Sequence, residues 1–154
     1  MGFTQDVRSA LGLFPTPCLQ HALDHQGQLI SRNYEDAKGR GCLFNMLSRA
    51  LPEELRIRSN TSLVRYYTGQ EIPEADLIPF ATTGRMDGAT PELLAMRRVM
   101  RVFDGNPVTE YGESGRLRRD DVIRELKTII EERRSAEAAH EGRQSPAALV
   151  QEGV

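Results

Sequence analysis

The side chains best suited by type and spacing to do chemistry are Cys18, His21 and His25, in the run CLQHALDH. At about 100° per helical residue the three fall within about a 60° arc, so their donor atoms can converge on one ion. With Cys42 alongside they complete a two-cysteine, two-histidine set of the kind that holds structural zinc. Against this, neither half has the close cysteine pair or histidine pair spacing usual in such sites. Histidines also stand on half-exposed helix faces without any metal.

Other readings of these residues are weaker. HALDH has the spacing of the inverted zinc-protease pattern H-x-x-E-H, but with Asp24, one methylene short of the glutamate base. H-E-x-x-H fails because Ala22 occupies the glutamate position. Cys42 follows Arg40 and Gly41, a basic setting that activates a thiol. Its neighbours Leu43 and Phe44 favour a packed core cysteine instead. No G-x-S-x-G, phosphate loop or dinucleotide fingerprint occurs, and the glycines of KGRGC lack the spacing for one. The carboxylate pairs Glu53–Glu54 and Asp120–Asp121 sit at helix starts, where the dipole accounts for them. The chain therefore reads as non-enzymatic.

A second constellation is basic. Between residues 38 and 66 the charges sum to +4, and between 67 and 96 to −4. Such blocks either face each other in the fold or present a surface to an anionic partner. Arg49, Arg56, Arg58 and Arg65 flank a helix start with Ser59, Asn60, Thr61 and Ser62, followed by Tyr66. In a helix-turn-helix the start of the second helix reads bases while nearby cations hold phosphate. Capping explains the same polar residues, and the connection from Leu51 to Arg58 is long for a tight turn.

The elements that must position these residues follow from periodicity and caps. Thr4 is expected to cap a helix carrying Val7, Ala10, Leu11 and Phe14, closed by Pro15. Thr16–Pro17 opens a second helix running to about His25, where Gly27 breaks it. Gln28 to Ser31 reads as a short extended link. Asn33 caps a further turn with Asp36 as its partner, and Gly39 and Gly41 bring a bend or a close approach. The organising stretch is the hairpin of two apolar helices. The first spans 42–51 and stops at Pro52; the second is capped by Ser59, faces inward with Leu63, Val64 and Tyr67, and ends at Gly69. Residues 70–89 hold Pro73, Pro79, Gly84 and Gly88 and read as a long loop, docked through Leu77, Ile78 and Phe80. Thr90–Pro91–Glu92 starts a helix with Leu93, Met96, Val99, Met100 and Phe103 on one face. A small hairpin or irregular loop is expected at 108–117. A last helix from near Asp120 buries Val122, Ile123, Leu126, Ile129 and Ile130.

These elements define one all-α domain over 1–134, of five or six short helices, with a disordered tail at 135–154. Its expected core is Leu43, Phe44, Leu47, Leu63, Val64, Tyr67, Val99, Phe103, Leu126 and Ile130. The chain has 154 residues and 39% hydrophobic content, enough for a single core. No apolar run approaches the roughly 20 residues of a membrane span, and the start lacks a secretory pattern or a myristoylation signal. A cytoplasmic location with reduced thiols is the expectation. The favoured function is a regulatory or protein-interaction domain that binds another protein, or itself. Its contacts would be Leu77, Ile78 and Phe80, or the last helix. A helix-turn-helix-like nucleic-acid binder is the alternative, and a small zinc protein on Cys18, His21, His25 and Cys42 the third.

Overall fold

The computed structural model describes residues 2–31, 35–57, 59–70, 72–112 and 117–144, without the side chains of 60, 74, 78, 79, 81, 82 and 141–144. It is all-α. Among the described residues seven helices are formed: α1 Phe3–Leu11, α2 Thr16–Asp24, α3 Leu43–Ser48, α4 Asn60–Thr68, α5 Glu74–Thr83, α6 Pro91–Phe103 and α7 Arg119–Gln144. Single 3-10 turns occupy Gln26–Gln28, Glu53–Leu55 and Thr109–Tyr111. No helix of the described residues is long and apolar enough to cross a membrane.

Caps with local partners form as expected. Ser59 Oγ accepts from the Ser62 N–H at 3.1 Å, and Thr90 Oγ1 accepts from Leu93 at 3.1 Å. Gly69, at φ 72°, is the left-handed stop of α4. Thr4 is different: α1 starts two residues earlier than a Thr4 cap implies, at Phe3 with Gly2 as the cap position, and the Thr4 hydroxyl donates to Glu125 on α7. An unexpected cap is Cys42, whose sulfur accepts from the Asn45 N–H at 3.4 Å.

The stretch 70–89 is not a long loop. It contains α5, which follows Pro73 and ends at Gly84, where φ is 71° and the N–H bonds the Phe80 carbonyl at 2.8 Å. Pro79 lies inside this helix and denies the Ala75 carbonyl its N–H donor. The buried Phe80 and the half-buried Leu77 hold the helix against the core in spite of that loss. At 108–117 the described residues make a 3-10 turn rather than a strand. The expected cap Asn33 lies outside the described residues. Asp36 instead accepts from the Lys38 and Arg40 N–H groups, closing a turn around Gly39. The last helix continues through Gln144, with exposed side chains from Arg134 to His140.

The core forms around α3, in which every residue from Leu43 to Ser48 is buried. All ten expected core residues are buried, five of them (Leu43, Phe44, Leu47, Val99 and Leu126) completely. α1 packs most extensively on α6 and also on α7, while α2 joins α3 to α7 and α4 leans on α6. Carbonyls at the C-terminus of α1 and in the turn after it are satisfied by distant donors. Tyr67 donates to Ala10 at 2.8 Å, Tyr66 to Leu13 at 2.9 Å, and Arg133 to Phe14 at 2.7 Å. The Tyr66 ring stacks on Phe14 at 4.8 Å. The extended link at 28–31 pairs with Gly41: Ile30 donates to the Gly41 carbonyl and Gly41 to Gln28. Gly41 is required there, because a Cβ would collide with the side-chain oxygen of Asn45.

Candidate functional site

The Cys18–His21–His25–Cys42 set does not assemble as a metal centre. Among the described residues no group of three or more His, Cys, Asp or Glu side chains is placed to hold an ion. Cys18 and Cys42 are buried in the core, whereas His21 and His25 stand half-buried with their rings stacked at 4.1 Å. His25 Nδ1 donates to the His21 carbonyl at 2.8 Å, which ties up one of its two ring nitrogens. Burial, then the neighbouring His25 and Arg49, hold the His21 pKa below its usual value. Burial pushes the Cys42 thiol up to about 11, opposite to what a nucleophile or metal ligand needs. Physically, the Cys42 sulfur faces the start of α3 as its cap, so it is committed to the fold.

The basic residues are dispersed. Eleven residues (49–59) with a 3-10 turn among them separate α3 from α4, and α3 has no exposed face. Tyr66, expected to contact a nucleic-acid backbone or base, is instead stacked on Phe14 and hydrogen-bonded to Leu13. Arg65 is exposed on α4. Arg58 and the Asn60 side chain lie outside the described residues. Within the basic segment Arg40 pairs with Asp36 at 2.6 Å and Arg49 approaches Glu35 at 3.8 Å. Both acids precede the segment rather than belonging to the acidic block at 67–96.

Arg49 and Arg56 do meet, at a cleft of about 410 Å³ that they share with Glu35, Asn45, Ser48 and Ile57. Asn45 and Ser48 are two of the three buried polar side chains in the described residues. Asn45 Oδ1 accepts from Arg49 Nε at 2.9 Å, and the Ser48 hydroxyl is within reach of the Asn45 and Ile57 carbonyls. Neither residue was singled out by sequence. The available signal was two polar residues in the otherwise apolar run LFNMLS.

A second cleft, about 270 Å³, lies between α4, α5 and α6. Leu63, Val64, Leu77, Phe80, Met96 and Met100 form its apolar wall. Two of the three expected interaction residues, Leu77 and Phe80, are therefore together; the Ile78 side chain is outside the described residues. Arg97 and Arg101 stand at its edge with Asp104. Arg97 donates to the Phe80 carbonyl at 3.1 Å, so it closes the end of α5 as well as lining the cleft. Burial, then Arg101, lower the Arg97 pKa, with Glu110 opposing. The α6 residues were legible only as a core face, and their part in the cleft depends on where α5 lands.

The third buried polar residue is Asp6. Its carboxylate takes a fork from Arg98, at 2.6 and 3.0 Å, and the Tyr111 hydroxyl donates to it. The network joins α1, α6 and the 3-10 turn at 109–111, and its place is structural. The hydrogen bond to Asp6 and the nearby negative charge raise the Arg98 pKa against burial, and burial with Asp6 raises that of Tyr111. Compared with known protein families, curated proteins and solved structures, the chain matches none.

Proposed function

We propose that the chain is a protein-interaction domain whose cleft between α4, α5 and α6 receives an apolar side chain of a partner. The observation that carries this is the half-buried Leu77 and Met100 beside buried Phe80 around about 270 Å³ of open apolar space. Apolar area covered by a guest contributes about 25 cal/mol per Å², without needing a directional partner. Met96 and Met100 are unbranched and polarizable, so the wall adapts to aliphatic or aromatic anchors alike. A few such anchors dominate protein interfaces, while rim contacts mainly exclude water.

The test is selection of short peptides from a display library on the immobilised protein, followed by affinity measurement at two salt concentrations. Selected peptides should share an apolar anchor, bind with weak salt dependence, and lose about tenfold or more in affinity on Leu77→Asp or Met100→Glu. Thermal melts of both variants would confirm that the fold survives. Peptides that bind the variants as tightly as the parent would refute the assignment.

A further inference from the structure

We propose that the cleft at Asn45, Ser48, Arg49 and Arg56 binds a small singly charged oxyanion, a carboxylate or phosphate group, in place of the Glu35 carboxylate. The cleft has more donors than acceptors. Arg49 Nε is satisfied by Asn45, but Arg49 Nη2 is buried and has no hydrogen-bond partner. The nearest acid oxygen, on Glu35, is 3.8 Å away, beyond hydrogen-bond reach, and that side chain is 56% exposed. Arg56 reaches the Leu51 carbonyl only at 3.5 Å through Nε. A buried guanidinium nitrogen without a hydrogen-bond acceptor is costly, and an oxyanion supplies that acceptor with charge assistance.

Charge and size narrow the ligand. Arg49 and Arg56 supply two positive charges, offset only in part by an exposed Glu35 carboxylate at the rim, which suits a small anion of low charge. Buried Ile57 adds an apolar wall, and about 410 Å³ lies within the roughly 300–1,000 Å³ of small-molecule sites. Nη2 lies beneath the surface, with the exposed Glu35 carboxylate beside it at 3.8 Å. A terminal oxyanion on a small body reaches a buried nitrogen more readily than a phosphate flanked on both sides in a polymer.

The experiment is a nuclear magnetic resonance titration of the whole chain with inorganic phosphate, with benzoate, and with a short single-stranded oligonucleotide. Sodium chloride at matched ionic strength is the control. Saturable shifts confined to the Asn45 side-chain amide, Arg49 Nε–H and the Ile57 N–H are expected with one or both small anions. Glu35→Gln should tighten binding about fivefold by removing the competing charge. Arg56→Gln, at an exposed position, should weaken it about tenfold. The proposal is overturned if chloride reproduces the shifts, if Glu35→Gln leaves affinity unchanged or weaker, or if the oligonucleotide binds more tightly than both small anions.

Discussion

Replacing Asp6 tests the most consequential polar contact in the molecule. Its side chain is 3% exposed and that of Arg98 11%, so the pair is screened little by solvent. Asp6→Ala strips the carboxylate from Arg98 and leaves the Tyr111 hydroxyl without its acceptor, while the aliphatic contacts of α1 on α6 remain. Breaking a buried ion pair on one side costs about 3–5 kcal/mol. That is a large part of a total stability of about 5–15 kcal/mol. In a chain of this length each kcal/mol lowers Tm by about 2–4 °C, so a fall of about 6–20 °C is expected. The assay is urea unfolding followed by far-ultraviolet circular dichroism, with a thermal melt beside it.

The mechanism also predicts a rescue. The combination Asp6→Leu with Arg98→Met removes both charges and fills similar volume, so it should recover most of the stability lost by Asp6→Ala. The coupling between the two sites follows from the double-mutant cycle. A loss below about 1 kcal/mol for Asp6→Ala would refute the argument, since a desolvated, forked ion pair cannot be broken that cheaply. So would a double replacement as unstable as the single one.

Three further outcomes follow from the packing and the titrating groups. Leu47→Ala empties a completely buried position in α3 and should cost about 2–5 kcal/mol in urea unfolding; a loss below about 1 kcal/mol would place Leu47 outside the core. Cys18 and Cys42 should resist alkylation in the native protein near pH 8 and both react once unfolded, because burial raises each thiol pKa, that of Cys42 to about 11. Rapid labelling of the folded chain would contradict this. His21 has its folded pKa lowered below the ordinary 6.5, so the unfolded chain takes up its proton first as pH falls. Its contribution therefore declines from about pH 7 downward and levels off below the folded pKa, and His21→Gln should flatten that part of the Tm-against-pH curve.

Much of the fold was legible because its signals are local. The Ser59 and Thr90 caps and the Gly69 stop complete their hydrogen bonds within four residues, so sequence alone specifies them. Apolar periodicity likewise located the buried faces of α3, α4, α6 and α7. α5 escaped because its local signal points the wrong way. Pro79 breaks the pattern of an isolated segment, and what holds the helix is Phe80 packing on elements distant in sequence. Thr4 shows the converse: a good cap residue does not cap, because the helix begins before it, and its hydroxyl donates to Glu125, 121 residues away. The Asp6 network was hidden for the same reason, with its partners 92 and 105 positions along the chain.

The arginines are used in several ways that sequence alone does not separate. Lys38 and Lys127 are the only lysines among 20 cations, and arginine forks suit carboxylates and phosphates as well as carbonyls. In the fold, several arginines pair with carboxylates, and four others serve backbone carbonyls at or near the ends of elements. Arg119 donates to Leu29, Arg133 to Gly12 and Phe14, Arg97 to Phe80, and Arg101 to Pro107. A flat group with five donors closes such ends where a lysine supplies a single ammonium, which accounts for these four of the 18 arginines. Arg49 departs from this pattern. It spends one nitrogen on a side-chain amide and holds another buried without an acceptor. Charge alone does not distinguish it from its neighbours. The distinction lies in unmet hydrogen-bonding capacity, which exists only once α3 and the 3-10 turn at 53–55 have folded around it.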